Sequence, residues 1–342
     1  MRVRVSACGS LVWSDDRLIW DDYLGHRQLR LVEGAERVLR WFVAWRELDS
    51  VRELGFFSLA EQMLRLDVLV AEGSARQAEE DRILGRWAKW GVSARAFHFA
   101  TRVHRDTPVE TTESLSVQPG GGSAPAITKT YPGAPTVSLP AADVARPYPD
   151  LLDVLARRRS TRSFANRPLS LPDLSELLAV AGRPNRPGAT SVGNVFKTSP
   201  SGGARHPIEV YVFARDVAGL DRGIYHYDML GHALTSLGRT CADPELVELA
   251  AGQEWVATAG ALLIYTGVIE RSQWKYPISR AYRVLMMDAG HLSQTVYLLA
   301  TALGLGVTFT GAVRDEIIED LLGCDPAAEL VLGMSVLGTP EP

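Results

Sequence analysis

The chain has 342 residues, 46% hydrophobic and 22% charged, a balance that excludes a mostly disordered polypeptide and leaves room for two domains. Its formal net charge of -4 argues against a dedicated nucleic-acid binder, because neutralising phosphates needs a basic surface. Cys8, Cys241 and Cys324 are far apart and form no CxxC pair, so neither a disulfide framework nor a metal site is expected, and a reducing cytoplasm is the expected compartment.

In chain order, Arg2 to Ala7 and Arg17 to Tyr23 alternate like strands around the turn signal Ser14-Asp15-Asp16. Ala35, Val38, Leu39, Phe42 and Val43 form an apolar helical stripe, and Leu59, Met63, Leu66 and Leu69 fit one face of a second helix. A strand pair followed by small helices predicts a winged-helix-like module over residues 1–104. That segment carries 16 Arg/Lys against 15 Asp/Glu with no basic block, so a peptide suits it better than a DNA duplex, and a plain packing domain suits it equally. Between His104 and Asp150 lie eight of the 19 prolines and the triplet Gly120-Gly121-Gly122, which reads as a linker or long surface connection over 105–150.

Residues 151–342 mix helices and strands. Leu151 to Arg158 and Leu171 to Ala181 read as helices, the second with Ser170 as N-cap and Pro172 in its first turn. Ile208 to Ala214 and Ala261 to Thr266 read as buried strands, and Gly223 to Asp228 with His232 to Gly238 as a hairpin. A long helix over Tyr282 to Leu303, a helix over Val313 to Leu322 and a last strand over Leu330 to Leu337 complete an α+β layer fold. Val284 to Phe309 is the most apolar long segment, but Asp288, His291 and Gln294 interrupt it. A bilayer span needs about 20 nearly unbroken apolar residues, so this is a core helix and no membrane association is expected.

Three segments carry candidate chemistry. Arg157 to Phe164 gathers guanidinium forks that match phosphate oxygens, together with Ser160 and Thr161; on its own a solvated basic helix end explains it equally. Ser199 to Pro207 holds Gly202 and Gly203, which let backbone approach a flat ligand closely. Gly304-Leu305-Gly306 closes the long helix, where a helix cap is explanation enough. A fourth feature is compositional. Of 36 basic residues only Lys89, Lys129, Lys197 and Lys275 are lysines, and Lys275 sits between Trp274 and Tyr276. Burial, or neighbours such as Arg271 and Arg280, can bring an amine toward the neutrality a general base needs, which a guanidinium cannot reach; a snorkelling surface lysine is the simpler physical explanation. His226 is expected to be structural and His291 to be a satisfied buried side chain, while His98, in Phe97-His98-Phe99 near Trp87, Trp90 and Arg102, has no assigned role.

Taken together in this order, RRRSTRSF (157–164), PSGGARHPIEVYVF (200–213), GIYHYD (223–228), WKYPISRAYR (274–283) and DAGHLSQTVYLLATALGLG (288–306) resemble the FMN-dependent nitroreductase superfamily, and more closely its SagB-type azoline dehydrogenases. The resemblance implies a dimeric FMN domain with a mixed sheet packed by helices. Arg158, Arg159, Ser160 and Arg162 would bind the phosphate and ribityl chain. Pro200, Ser201, Gly202, Gly203 and Ala204 would reach the isoalloxazine, often from the partner subunit, and Gly304, Leu305 and Gly306 would line the ring edge. The chain departs from the pattern at Gly338 to Pro342, which lacks a basic residue often found there; the phosphate expectation then falls on Arg158, Arg159, Arg162 or Arg205.

Lys275 and Tyr276 match the pair used for catalysis in that branch. The implied reaction oxidises a thiazoline or oxazoline in a modified precursor peptide to the azole, with proton loss to Lys275, hydride to FMN and dioxygen as final acceptor. A cyclodehydratase would be a partner, and the N-terminal module would hold a leader peptide or that partner. Two other readings stay open: an NAD(P)H-dependent nitro- or quinone reductase, and a flavin-free scaffold or peptide-binding subunit.

Overall fold

The computed structural model describes residues 1–103, 123–143, 146–185, 190–191 and 194–341. It divides into two compact units, Met1–Val109 and Glu110–Pro342.

In the first unit, strand β1 (Arg2–Val5) is followed by a three-stranded antiparallel sheet of β2 (Gly9–Ser14), β3 (Arg17–Asp22) and β4 (Arg27–Arg30). Helix α1 (Ala35–Trp41), strand β5 (Arg46–Glu47), helix α2 (Phe57–Arg65) and strand β6 (Leu69–Ala71) come next, then α3 (Ala75–Trp87) and α4 (Gly91–Ala100). β1 is the centre of a second small sheet, flanked by β5 and β6. Most of the expected apolar stripe is realised, with Ala35, Val38, Leu39 and Phe42 buried beside Val3, Trp20 and Met63, but Val43 is exposed because α1 ends at Trp41 and the chain leaves the helical path. Leu69, expected on the second helix, lies in β6 instead, because α2 ends at Arg65 with Leu66 as its C-cap and positive-φ Asp67 turns the chain into an extended segment. Two buried carboxylates brace this unit. Asp22 accepts from Arg27 and Arg76, and Glu80 from Arg76 and the Ala7 amide.

The second unit is built on a seven-stranded sheet. Its elements are β7 (Thr136–Ser138), α5 (Leu151–Arg157), α6 (Leu171–Gly182), the short pair β8 (Thr190–Ser191) and β9 (Asn194–Val195), then β10 (Ile208–Ala214), β11 (Gly223–Asp228) and β12 (Ala233–Ser236). They continue through α7 (Asp243–Leu249), β13 (Ala261–Val268), α8 (Ile269–Gln273), α9 (Ala281–Ala302), β14 (Gly306–Thr310), α10 (Asp315–Leu322) and β15 (Glu329–Gly338). The sheet order is β14-β15-β13-β10-β11-β12-β7, and each of these pairings is antiparallel, not mixed. Short returns such as β11 to β12 allow only antiparallel neighbours, since parallel ones need long crossovers.

Every residue of β10 and β13 is buried, yet their side chains divide by period two between two cores. Val210, Val212, Leu263 and Tyr265 face the core shared with α6 and α9; Tyr211, Phe213, Leu262 and Ile264 face the one beneath α7 and α10. A sheet covered on both faces explains why these strands read as continuous apolar runs. Helix α9 buries Leu285, Ala289, Leu292, Val296 and Ala300 at helical spacing. It ends in a left-handed Gly304 (φ 73°), with Leu305 N donating to Ala300 O and Gly304 N to Thr301 O.

The expected connection over 105–150 is structured in its later half. Thr136–Ser138 pairs with β12, Leu139 is buried, and Lys129 Nζ lies 2.6 Å from Glu329. Proline prevents none of this, because β7 is an edge strand and Pro135 precedes it. Residues 104–122, including the glycine triplet, lie outside the described residues.

Candidate active site

Helix α5 ends at Arg157, which pairs with Asp153 one turn earlier at 2.7 Å. The chain then extends beside the sheet: Thr161 N donates to Val307 O, Ala165 N donates to Thr339 O, and Phe164 is buried in the core beneath α7 and α10. Among the described residues, Arg158, Arg159 and Arg162 have no carboxylate within ion-pairing distance. Arg158 lies over the Tyr297 ring and Arg162 over Trp255, so two of the three are oriented by aromatic faces. Ser160 Oγ and Tyr297 Oη are 3.0 Å apart, and Tyr297 Oη accepts from Phe309 N at 2.7 Å. Burial raises the Tyr297 phenol, but these donors and Arg158 more than offset it and leave it below its usual value. The Arg-Ser-Arg segment and the Gly304-Leu305-Gly306 segment thus meet at one end of α9.

The loop from Ser199 to His206 is gripped by the other half of the same helix. Asp288 Oδ2 accepts from Ser201 Oγ at 2.5 Å and Oδ1 from Gly202 N at 3.1 Å; Ser201 Oγ in turn accepts from His206 N. His291 Nδ1 donates to Pro200 O at 3.2 Å, and Ser199 and Thr295 share a hydroxyl contact at 2.6 Å. Asp288, His291 and Thr295 are spaced i, i+3, i+7, a polar stripe beside the apolar one. His291 is therefore exposed on the helix surface and not a buried core residue, because it serves the loop. Asp288, noted in the sequence only as a break in an apolar run, is the residue that holds this loop. Its signal was a lone acid at a core-facing position.

Lys275 and Tyr276 follow α8 and close on that loop. Lys275 Nζ donates to Gly203 O at 3.2 Å. Gly203 has φ 62°, and a Cβ there would lie 2.5 Å from Tyr276 Oη, so no larger residue fits between loop and pair. Arg205, one of the phosphate candidates, is drawn away: its Nε donates to Arg271 O and its guanidinium lies 4.5 Å from the Trp274 ring. Arg271, proposed from the sequence as a neighbour for Lys275, is committed to Glu209 and to Ala126 O. Glu209 also pairs with His226 at 2.8 Å, which gives His226 its structural role.

The candidate residues form two groups on one helix. Tyr297 marks the first and Asp288 the second, nine residues or about 14 Å apart at 1.5 Å per residue. Among the described residues no cluster of His, Cys, Asp or Glu could hold a metal ion, and no helix is long and apolar enough to cross a membrane.

The profile described as Nitroreductase family matches residues 155–339, more than half the chain and all of the candidate site residues. The chain belongs to the nitroreductase family. Within it, a Methanocaldococcus jannaschii protein named as a nitroreductase is 39% identical over 172 residues, covering 50% of this chain and 83% of that one. The trifolitoxin-processing protein TfxB of Rhizobium leguminosarum bv. trifolii is 35% identical over 145 residues, 41% of this chain and 39% of TfxB. A nitroreductase structure from Anabaena variabilis superposes with a TM-score of 0.55 at 27% identity, over 72% of this chain and 47% of that one. The nitroreductase fold and the α+β reading of residues 151–342 are therefore established, and the family is one of oxidoreductases.

Proposed function

We propose that this protein is an FMN-dependent dehydrogenase of the SagB type, oxidising thiazoline or oxazoline rings to azoles in a modified peptide. The observation that carries this reading is Lys275 and Tyr276 closing on the Pro200 to Ala204 loop, a pair that resembles the catalytic residues of that branch. The relative named for trifolitoxin processing supports the same reading.

The residues present fit FMN. Three guanidinium groups with no carboxylate partner among the described residues, with Ser160 beside them, suit a phosphate and ribityl chain, and Gly304 leaves open space where a Cβ would stand. When bound, FMN supplies the two-electron acceptor. Arg158, Arg159, Ser160 and Arg162 would hold its phosphate; Gly202, Gly203 and Gly304 to Gly306 would let backbone lie against the ring. Lys275 Nζ would take the proton from the ring carbon alpha to the peptide carbonyl, with Tyr276 Oη orienting the azoline. Asp288 keeps the loop in register with that pair.

The separation of the two groups along α9 favours a homodimer in which one subunit's loop completes the other's site. Exposed apolar side chains on α5 (Leu151, Leu152, Leu155) and early α9 (Met286, Met287) provide a surface for it. Leu152→Glu with Met287→Glu should shift the sedimentation coefficient from dimer to monomer. An unchanged coefficient rejects this face as the interface.

The first unit would act as the peptide-recognition module, holding a leader peptide or a cyclodehydratase partner. The second unit, Glu110–Pro342, would carry the oxidation. The deciding experiment supplies the FMN-loaded protein with a thiazoline peptide made by a cyclodehydratase and follows loss of two hydrogens per ring by mass spectrometry. Steady NAD(P)H oxidation by a quinone without azole formation would replace this reading with a reductase. Failure to take up FMN would replace it with a scaffold.

A further inference from the structure

A second chemistry-bearing lysine stands just before the loop. Lys197 pairs in backbone with Pro184 through an isolated bridge, and its side chain lines a cavity of about 490 Å3 with Asn185, Phe196, Ser199, Ser201 and His206. Among the described residues the Lys197 ammonium has neither a hydrogen bond nor a carboxylate partner. The carboxylate whose charge reaches it is Glu209, but the Glu209 oxygens already accept from Arg271, His226 and the Lys129 amide. Asp288 is likewise engaged by Ser201 and Gly202.

Nearby, Arg205 is 1% exposed, and among the described residues both terminal nitrogens of its guanidinium lack a hydrogen-bond partner, its face lying against Trp274. Arg271 acts on Lys197 and on Arg205 alike. Among the described residues Lys197 therefore has no ion-pair partner, and Glu209, whose charge reaches it, is already bonded by Arg271 and His226. Buried or half-buried charge of this kind is unfavourable until a counter-charge arrives.

We infer that this cavity is a subsite for a monoanionic, carboxylate-bearing ligand, its carboxylate on Lys197 and its apolar part against Val195 and Phe196. A single ammonium matches a single carboxylate, and the Ser199 and Ser201 hydroxyls offer further polar contacts at the rim. Binding there does not depend on the ring-oxidation reading.

The charge on Lys197 is also positioned to titrate. Burial pulls its ammonium down, Glu209 pulls it back and Arg271 lowers it again, leaving it at about 8. The charged or titratable groups around the cavity are Glu209 on β10, Arg271 on α8, Arg205 and His206 on the loop, and Asp288 and His291 on α9, which hold Ser201 and Pro200. Glu209, near 2, stays ionised from pH 7 to 9, and His206, held near 3 first by burial and then by Lys197, stays neutral.

Benzoate and its neutral isostere benzamide are the probes, titrated by calorimetry into the full-length protein with and without FMN. Benzoate should bind at pH 7 and benzamide at least tenfold more weakly. Benzoate affinity should fall about tenfold between pH 7 and pH 9, as the competent ammonium form is depleted. Lys197→Met should weaken benzoate at least tenfold at pH 7. Lys197→Arg, whose charge persists, should bind benzoate with no loss up to pH 9, which separates lost charge from lost folding. Equal binding of the two probes, a flat pH profile in the parent protein, or unchanged benzoate affinity in Lys197→Met would overturn the assignment. Loss of azole formation with benzoate binding intact would reject the ring-oxidation reading alone.

Discussion

Lys275→Arg should reduce azole formation by about 10²–10⁴-fold while the protein still binds FMN with an unchanged flavin spectrum. The substitution keeps the positive charge, the long stem and a donor able to reach Gly203 O, which Lys275 Nζ contacts at 3.2 Å. What it removes is the capacity to exist as a neutral amine, because a guanidinium does not deprotonate in the working range. A structural or purely electrostatic role for Lys275 would survive this change; a general base would not. Lys275→Ala should be equally inactive, and Tyr276→Phe, which removes one hydroxyl near the loop, should lose less. Turnover by Lys275→Arg within a few fold of the parent protein would eliminate the proposed base and leave the family's oxidoreductase chemistry to other groups.

Arg271→Met should destabilise the second unit by about 3–5 kcal/mol, because it strips a buried carboxylate of its cation. Arg271 is 2% exposed, bonds Glu209 directly and also donates to Ala126 O, so it ties the segment after residue 123 onto the sheet. At this domain size the midpoint of thermal unfolding should fall by roughly 6–20 °C. The pH dependence gives an independent check. Burial alone would raise the Glu209 carboxyl, but the His226 hydrogen bond and the Arg271 charge override it and hold it at about 2.

A carboxyl lower in the folded than in the unfolded state contributes stability that is fully present above its unfolded value, near 4.5. That stability drains away as pH falls toward 2, about 3 kcal/mol over this window. In Arg271→Met the folded value should rise, so the acid-dependent loss should be shallower as well as starting from a lower plateau. Glu209→Gln combined with Arg271→Met should recover part of the loss, since the stranded charge is gone. A single Arg271→Met variant as stable as the parent, with the same acid profile, would show that the pair contributes nothing.

Much of the second unit was legible in the residue pattern. Ile208–Ala214 and Gly223–Asp228 are strands over their expected bounds, since short apolar runs rich in β-branched and aromatic residues have few alternatives. Ser170 caps α6 as expected, its side chain accepting from Asp173 N. Short polar elements escaped. Thr136–Ser138 is three residues long and gains its strand character only by pairing with β12 at the sheet edge, and Gly306–Thr310 directly follows a helix cap. Leu69 kept helical spacing with α2 yet belongs to a strand, because apolar periodicity continues through a turn that the backbone does not follow.

The site divides along the same line. Residue types and their order picked out the Arg158 to Arg162 segment, the glycine loop, Gly304 to Gly306 and the Lys275-Tyr276 pair. Only the folded chain shows that Asp288 holds the loop, that His291 faces outward to Pro200, that Arg205 is buried beside Trp274, and that Lys197 lines a cavity with no ion-pair partner among the described residues. By itself the sequence determined α1, α5, α6, α9 and α10 and the buried strands β10, β11 and β13, whose hydrogen bonds and burial periods are set within a few residues. The tertiary structure decided which of those elements meet, as with Lys275 and Gly203, 72 residues apart. Such contacts depend on sheet order and on desolvation across the core, and neither leaves a local trace in the chain.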